Sequence, residues 1–262
     1  MEEKKISIKK LKTNYKIEGQ GQALLILHGW GGSSNSWQKV GKKLADKGYR
    51  VIIPDLPGFG KSQAPFKPWG VEGYVKWLND VLNKLKIKKI FLLSHSFGGR
   101  IAIEFAATYP HKLKKLILCS TPGVKFNPTL RQMIAMEIAR VGNLIFKPKI
   151  FHPLKNKGRL LFYFILRQRD YLTSNEIMRE VFRKVVAKNL TPYLSQIQTP
   201  TLIIWGRKDK LVPLRCGKLM AEKIPNSKLE ILPNVAHGVH LQDPENLIKI
   251  ILKFLNSQGN SN

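Results

Sequence analysis

The strongest chemical signal in the sequence is Ser96, a serine with a small residue two positions before it and another two positions after it. It stands in the segment Phe91-Leu92-Leu93-Ser94-His95-Ser96-Phe97-Gly98-Gly99, where an apolar β-type run gives way to an amphipathic helical pattern. A strand that turns sharply into a helix can present a serine as a nucleophile if the residues two before and two after it are small. Gly98 meets this requirement, and Ser94 is a small departure from the usual glycine. The segment predicts a nucleophile, although a serine here is also a common helix N-cap.

A carboxylate and an imidazole follow later in the chain, each just after an apolar run. Asp209 lies in Gly206-Arg207-Lys208-Asp209-Lys210, and His237 lies in Val235-Ala236-His237-Gly238. A histidine can take the proton of a serine hydroxyl while a carboxylate orients its ring. The sequence therefore predicts Asp209 and His237 as partners of the serine, with His240 as the rival base.

A glycine-rich segment, His28-Gly29-Trp30-Gly31-Gly32, follows the first buried apolar run. Such a loop can turn a backbone N–H towards a developing oxyanion. The predicted donors are the N–H groups of Trp30 and Phe97. An ordinary structural turn would account for the glycines equally well, and His28 is expected to brace the loop.

The elements that must position these residues alternate between short apolar runs and longer helical patterns. Near-continuous apolar runs are typical of parallel strands buried on both faces, and the alternation predicts a doubly wound α/β sheet. The first two of the eight runs read as an antiparallel edge pair. The runs cover residues 4–10, 11–18, 23–27, 49–54, 90–94, 113–120, 201–206 and 228–232. The amphipathic segments between them cover 37–47, 74–85, 96–109, 214–224 and 245–256.

One stretch lacks strand patterns and predicts an all-helical lid. Residues 122–198 contain helix-period segments at 130–144, 159–171 and 176–187, whereas 1–121 and 199–262 are expected to form the core. The insertion follows the fourth parallel run, so it is expected to cover the strand ends where such sheets bind ligands. Candidate lining residues of an apolar pocket are Trp30, Phe97, Phe126 and Met133.

Together these segments resemble the α/β-hydrolase superfamily, in particular its lidded serine esterase-like branch, from about residue 23 to 254. The resemblance implies an eight-stranded, mostly parallel sheet with Ser96 as nucleophile, Asp209 as acid and His237 as base. It favours His237 over His240. It also implies that Asp55, in the loop after the second parallel run, is structural. A serine at position 96, where related branches carry aspartate, argues against haloalkane dehalogenases and epoxide hydrolases.

The resemblance implies acyl transfer: hydrolysis of a carboxylic ester of a small, largely apolar substrate, without metal or organic cofactor. Arg100 leaves a second chemistry open, because a subset of the family uses the same triad for carbon–carbon cleavage or elimination on carboxylated dienes and dienones. A small-ligand receptor that uses the cavity without turnover is a third possibility.

The composition and charge of the chain limit the classes of partner and the location that we expect. The chain of 262 residues has a net charge of +28, which invites a nucleic-acid or membrane hypothesis. However, the charge is spread along the chain, and we find no zinc-finger spacing or arginine tract, so no specific nucleic-acid partner is expected. The N-terminus is too charged for a signal peptide, and no apolar run is long enough to span a bilayer. A cytoplasmic monomer or homodimer is therefore the expectation.

Overall fold

A computed structural model of the chain describes residues 1–126 and 176–257. Residues 1–124 and 176–257 belong to one compact unit. In these described ranges, no helix combines the length and the apolar character needed to cross a membrane.

An eight-stranded sheet forms the centre of this unit, with strand order β1-β2-β4-β3-β5-β6-β7-β8. β1 and β2 are antiparallel, β2 joins β4 in antiparallel pairing, and the remaining neighbours are parallel. The mostly parallel sheet and its antiparallel edge pair are therefore confirmed. The strands are β1 Glu2–Ile8, β2 Leu11–Glu18, β3 Gln22–Leu27, β4 Tyr49–Pro54, β5 Ile90–His95, β6 Leu113–Cys119, β7 Thr201–Gly206 and β8 Ser227–Leu232.

Both faces of the sheet are buried, which explains why its central strands are apolar throughout. Successive side chains of a strand point to opposite faces. In β3, Leu25 and Leu27 join one hydrophobic cluster while Leu24 and Ile26 join the other, and all four are fully buried. Because the six strands β3 to β8 run in parallel, their carboxyl ends meet at one edge of the sheet, where the loops with the candidate residues follow.

The described helices cover these two faces. Apolar residues of α1 and α8 join the cluster that contains Leu24, whereas those of α2, α3 and α6 join the cluster that contains Leu25. The helices are α1 Gln38–Ala45, α2 Val71–Lys84, α3 Phe97–Thr108, α4 Glu176–Ala187, α5 Thr191–Leu194, α6 Leu214–Lys223, α7 Val239–Gln242 and α8 Pro244–Asn256, with short 3-10 turns at Ser34–Trp37 and Pro110–Lys112.

The predicted lid falls partly inside the described ranges. The helix expected over 176–187 is present as α4, with those bounds, and it lies in the same compact unit as the sheet. The helical segments expected over 130–144 and 159–171 lie outside the described residues. The division into a core and a lid at 122–198 stays a prediction.

Candidate active site

Ser96 occupies a sharp turn between β5 and α3. Its φ of 51° and ψ of −113° lie outside the regions that most residues adopt, so the backbone there is strained. Its N–H donates to the carbonyl of Cys119 on β6 over 3.0 Å. The hydrogen bond and the helix that begins at Phe97 hold the strained turn at the carboxyl edge of the sheet.

The neighbours of Ser96 make this turn possible. Gly98 approaches β3 so closely that a methyl group on it would lie 2.5 Å from the carbonyl oxygen of Leu27. Ser94 is fully buried, and its hydroxyl donates to the carbonyl of Ile117 over 3.0 Å. The serine that replaces the usual glycine is therefore accommodated by a hydrogen bond to the neighbouring strand.

The structure brings Ser96, His237 and Asp209 together. His237 lies on the loop after β8, with its Nε2 atom 3.0 Å from Ser96 Oγ. Its Nδ1 atom lies 2.9 Å from Asp209 Oδ2. A neutral imidazole that donates through Nδ1 to the carboxylate presents a bare Nε2, which accepts the serine proton.

The Asp209 carboxylate is fixed on its other side by the backbone. Its Oδ1 atom accepts hydrogen bonds from the N–H groups of Leu211 and Val212, each over 2.9 Å. The Asp209 side chain has no exposed surface, whereas the His237 side chain is 20% exposed. The carboxylate is thus held in place by backbone donors, while the imidazole is partly exposed to solvent.

The glycine-rich loop after β3 lies beside this group. His28 is fully buried; its Nδ1–H donates to the Gly29 carbonyl over 2.8 Å, and its Nε2 accepts from the Leu56 N–H over 2.9 Å. Burial lowers the pKa of His28 to about 4, so it braces the loop as a neutral imidazole. Among the described residues we find no hydrogen-bond partner for the N–H groups of Trp30 or Phe97.

Aromatic side chains form one wall next to these N–H groups. The indole of Trp30 contacts Phe59, Phe97 and Phe182 edge to face, with ring centroids 4.8, 5.3 and 4.9 Å apart. Phe182 belongs to α4. Of the other predicted lining residues, Phe126 is 39% exposed, and Met133 lies outside the described residues.

Arg100 lies one helical turn beyond the nucleophile and is buried. Its guanidinium Nη1 donates to the carbonyls of Val185 and Lys188, over 2.9 and 3.3 Å, at the C-terminal end of α4. Burial lowers its pKa to about 10, so the group stays charged at neutral pH. The contacts in the structure make Arg100 a cap for α4.

Two other residues singled out in the sequence have contacts that explain them. His240 stacks on Trp37, with ring centroids 4.2 Å apart and an interplanar angle of 5°. Asp55 accepts hydrogen bonds from the N–H of Ser34 and of Lys61 and from the amide of Asn14. Although burial favours its neutral form, these N–H donors hold the pKa of Asp55 below its usual value. Asp55 thus ties its own loop to β2 and to the 3-10 turn at Ser34–Trp37, which is the structural role that the resemblance implied.

Sequence reasoning missed several residues of this region. Phe59 and Phe182 carry no local motif, and no spacing in the sequence indicates that both contact Trp30. The ring of His95 lies against the loop of His237, with its Nε2 atom 2.9 Å from the carbonyl oxygen of His237, and no local motif indicated this contact. In the described ranges, no cluster of three His, Cys, Asp or Glu side chains could hold a metal ion.

Comparison with known sequences identifies the family of this chain. A profile of the alpha/beta hydrolase fold family matches residues 22–244. An uncharacterized protein of Mycobacterium tuberculosis is 30% identical over 93% of this chain and 78% of its own length. A 2-hydroxy-6-oxo-6-phenylhexa-2,4-dienoate hydrolase of Burkholderia cepacia is 29% identical over 93% of this chain and 92% of its own length.

Solved structures share the fold at lower identity. A bromoperoxidase from Bacillus anthracis superimposes with a TM-score of 0.76 at 22% identity, over 98% of this chain and 100% of that one. A meta-cleavage product hydrolase from Pseudomonas fluorescens does so with a TM-score of 0.71 at 22% identity, over 97% of both chains. At such identities the likeness concerns the fold alone.

Proposed function

This chain belongs to the α/β-hydrolase family, and from that premise we propose that it is a serine hydrolase. It cleaves the carboxylic ester of a small, largely apolar substrate through an acyl-enzyme on Ser96. The observation that carries the proposal is the unbroken hydrogen-bonded series from Ser96 Oγ through the His237 ring to the Asp209 carboxylate, with contacts of 3.0 and 2.9 Å.

In the first half of the reaction, Ser96 Oγ attacks the ester carbonyl carbon while its proton passes to His237 Nε2. The Asp209 carboxylate stabilises the imidazolium that forms and keeps its ring in place. The tetrahedral intermediate then collapses, the His237 proton moves to the leaving alkoxide, and the alcohol departs. Ser96 remains esterified by the acyl group.

In the second half, His237 Nε2 takes a proton from water, which attacks the acyl carbon. The proton returns to Ser96 Oγ as the carboxylic acid leaves. In both halves the oxyanion is stabilised by the N–H groups of Trp30 and Phe97, and each such donor typically contributes about 3 kcal/mol. The α3 N-terminus adds the positive end of its dipole.

The apolar substrate class follows from the side chains beside the oxyanion donors. Trp30 presents its indole among three phenylalanines, so an acyl or aryl group seated there exchanges water for aromatic surface. Burial of apolar surface contributes about 25 cal/mol per Å². A charged acyl chain would lose its hydration against this wall.

A fluorescent fluorophosphonate tests the nucleophile directly, and short p-nitrophenyl esters test turnover. We expect labelling and hydrolysis by the wild type, and loss of both in Ser96→Ala and in His237→Ala. The matched control is Ser62→Ala, because Ser62 also lies in a loop at this edge but donates to the Asp55 carbonyl. Absence of labelling in a folded wild type would contradict the proposal and favour a ligand-binding role.

Carbon–carbon hydrolysis is the second candidate, favoured by the names of relatives. Besides the Burkholderia cepacia enzyme, a 2-hydroxy-6-oxononadienedioate/2-hydroxy-6-oxononatrienedioate hydrolase of Burkholderia vietnamiensis is 27% identical over 94% of this chain and 91% of its own length. Both names denote carboxylated dienones. The same series of residues can serve that chemistry, because Ser96 would again attack a carbonyl carbon.

Arg100 provides the discriminating experiment. Its hydrogen bonds to α4 support a structural role, so Arg100→Gln should change KM equally for a neutral ester and for a 2-hydroxy-6-oxodienoate. If Arg100 instead held a substrate carboxylate, KM would rise for the dienoate alone. Faster turnover of the dienoate than of any ester by the wild type would favour the second candidate.

A further inference from the structure

Behind the candidate base lies a second imidazole that the proposed mechanism does not use. His95 is the last residue of β5, directly before Ser96, and its side chain is buried. Its Nε2 atom lies 2.9 Å from the carbonyl oxygen of His237. Since a carbonyl only accepts hydrogen bonds, Nε2 must carry the proton, and Nδ1 is bare when the ring is neutral.

The bare nitrogen of the same ring faces the glycine-rich loop. A methyl group on Gly29 would lie 3.0 Å from His95 Nδ1 and 3.3 Å from Ser96 Cβ. The ring of His95 therefore contacts the loop that carries the predicted oxyanion donor and the loop that carries His237. His95 also directly precedes Ser96 in the chain, so its backbone leads into the turn that carries the candidate nucleophile.

We infer that His95 is a positioning residue, whose Nε2–H fixes the carbonyl of His237 and thereby sets the distance between the His237 ring and Ser96 Oγ. The inference rests on the proposed function, in which that distance decides the rate. A misplacement of about 1 Å can reduce a rate by roughly 100-fold.

The surroundings keep His95 in the donor form that this role requires. Burial, together with the nearby rings of His240 and His237, holds the pKa of His95 well below its usual value. The ring centroids of His237 and His240 each lie 4.8 Å from that of His95. A neutral His95 also avoids placing a second positive charge beside the imidazolium that forms on His237.

The role differs from simple satisfaction of a buried carbonyl. The His237 oxygen also accepts the N–H of Val239 over 3.1 Å, so loss of the His95 donor does not leave it unpaired. What is lost is the link between the loop of His237 and β5, which ends at His95 directly before Ser96. The effect should therefore appear in turnover more than in stability.

Three substitutions separate the N–H donor from the bulk of the ring. Gln carries an amide N–H at the distance of the histidine Nε2 from the backbone, whereas Asn carries the same amide one methylene shorter, and Leu has no donor. We expect His95→Leu and His95→Asn to lower kcat by about 10- to 100-fold with little change in KM. His95→Gln should retain kcat within about three-fold of the wild type.

A spectroscopic measurement keeps the inference testable without a known substrate. The proton between His237 Nδ1 and Asp209 gives a far-downfield ¹H resonance, which we expect to shift or broaden in His95→Asn and to persist in His95→Gln. Equal damage by Gln and Asn, or full kcat and an unchanged resonance in His95→Asn, would overturn the inference. A wild type that shows the resonance but no fluorophosphonate labelling would instead contradict the proposed function. If the Leu variant does not fold, the Gln and Asn pair carries the comparison.

Discussion

Among the described residues, four histidines lie at the carboxyl edge of the sheet, and they divide into a front and a back of the site. At the front, His237 is partly exposed and has a carboxylate on Nδ1. At the back, His28, His95 and His240 are buried, and the side-chain hydrogen bonds of His28 and His95 are to backbone groups. The same side chain thus occurs in two environments that differ in charge and in access to solvent.

The difference shows how the fold separates chemistry from support. In the proposed mechanism, the carboxylate partner of His237 stabilises the imidazolium that forms when the ring takes the proton of Ser96. Burial disfavours the charged form, so the pKa of His28 and of His240 is lowered to about 4. The back histidines therefore serve as neutral hydrogen-bonding and stacking groups that shape the loops around His237.

The largest effect should come from exchanging a front residue for a small one. His237→Ala removes the base and the acceptor of the Ser96 proton, so we expect kcat for a p-nitrophenyl ester to fall by about 10⁴- to 10⁶-fold. The melting temperature should change little, because the ring is partly exposed. The comparison with the back of the site would fail if His237→Ala kept substantial activity.

The second effect concerns the partner that distinguishes the front histidine. In Asp209→Asn, the carbonyl of the new amide can still accept the N–H groups of Leu211 and Val212. Its NH₂ group would then face His237 Nδ1 and favour the tautomer that donates towards Ser96. We expect kcat to fall by about 10⁴-fold, with KM nearly unchanged, in steady-state kinetics. A change below ten-fold would mean that the carboxylate is not what sets His237 apart.

Much of the front could be predicted from the sequence, because each residue follows its own strand. Parallel strands end at one edge of a sheet, so the chain order of Ser96, Asp209 and His237 was enough to indicate that they meet. Ser94 stands where a glycine is usual, but its hydroxyl forms a hydrogen bond to β6. The side chain is therefore accommodated, and the segment still predicted the turn at Ser96. The sheet itself was predictable since its central strands are apolar on both faces.

The back of the site was not predictable in the same way. Whether His95 points towards the loop of His237 depends on the position of a loop that lies about 140 residues further along the chain. The same holds for Phe182, whose contact with Trp30 joins α4 to the loop after β3. Such contacts are set by how elements pack in three dimensions, and no local spacing encodes them.

Acid should destabilise the protein through the back histidines. In the unfolded chain each imidazole takes up a proton below its ordinary pKa of 6.5, whereas folded His28 and His240 do so only near a pKa of about 4. The folded state thus binds fewer protons in this window, and stability falls as the pH falls. The nearby charge of Asp55 opposes the shift of His28, while His237 adds to that of His240.

We expect the free energy of unfolding to decrease by about 2 kcal/mol for each of His28 and His240 between pH 7 and pH 5, since a full pKa unit is worth about 1.4 kcal/mol. Urea titrations at both pH values measure this decrease. The matched control is His111→Gln, which alters an exposed histidine and should leave the decrease unchanged. Equal stability at the two pH values would contradict the assignment of neutral, buried rings at the back.

The smallest effect should come from His240, and it is expected to have the opposite sign. The buried Nδ1 atom of His240 has no hydrogen-bond partner among the described residues, and an unsatisfied buried polar atom typically costs about 1 to 3 kcal/mol. His240→Phe removes this atom and keeps a ring that can stack on Trp37. We therefore expect the free energy of unfolding at pH 7 to rise by about 1 kcal/mol, with kcat within about three-fold of the wild type.

Because the variant also lacks a buried imidazole, its loss of stability from pH 7 to pH 5 should be smaller than that of the wild type. A large loss of kcat in this variant would place His240 with His237 at the front, and the division between reacting and supporting histidines would not hold.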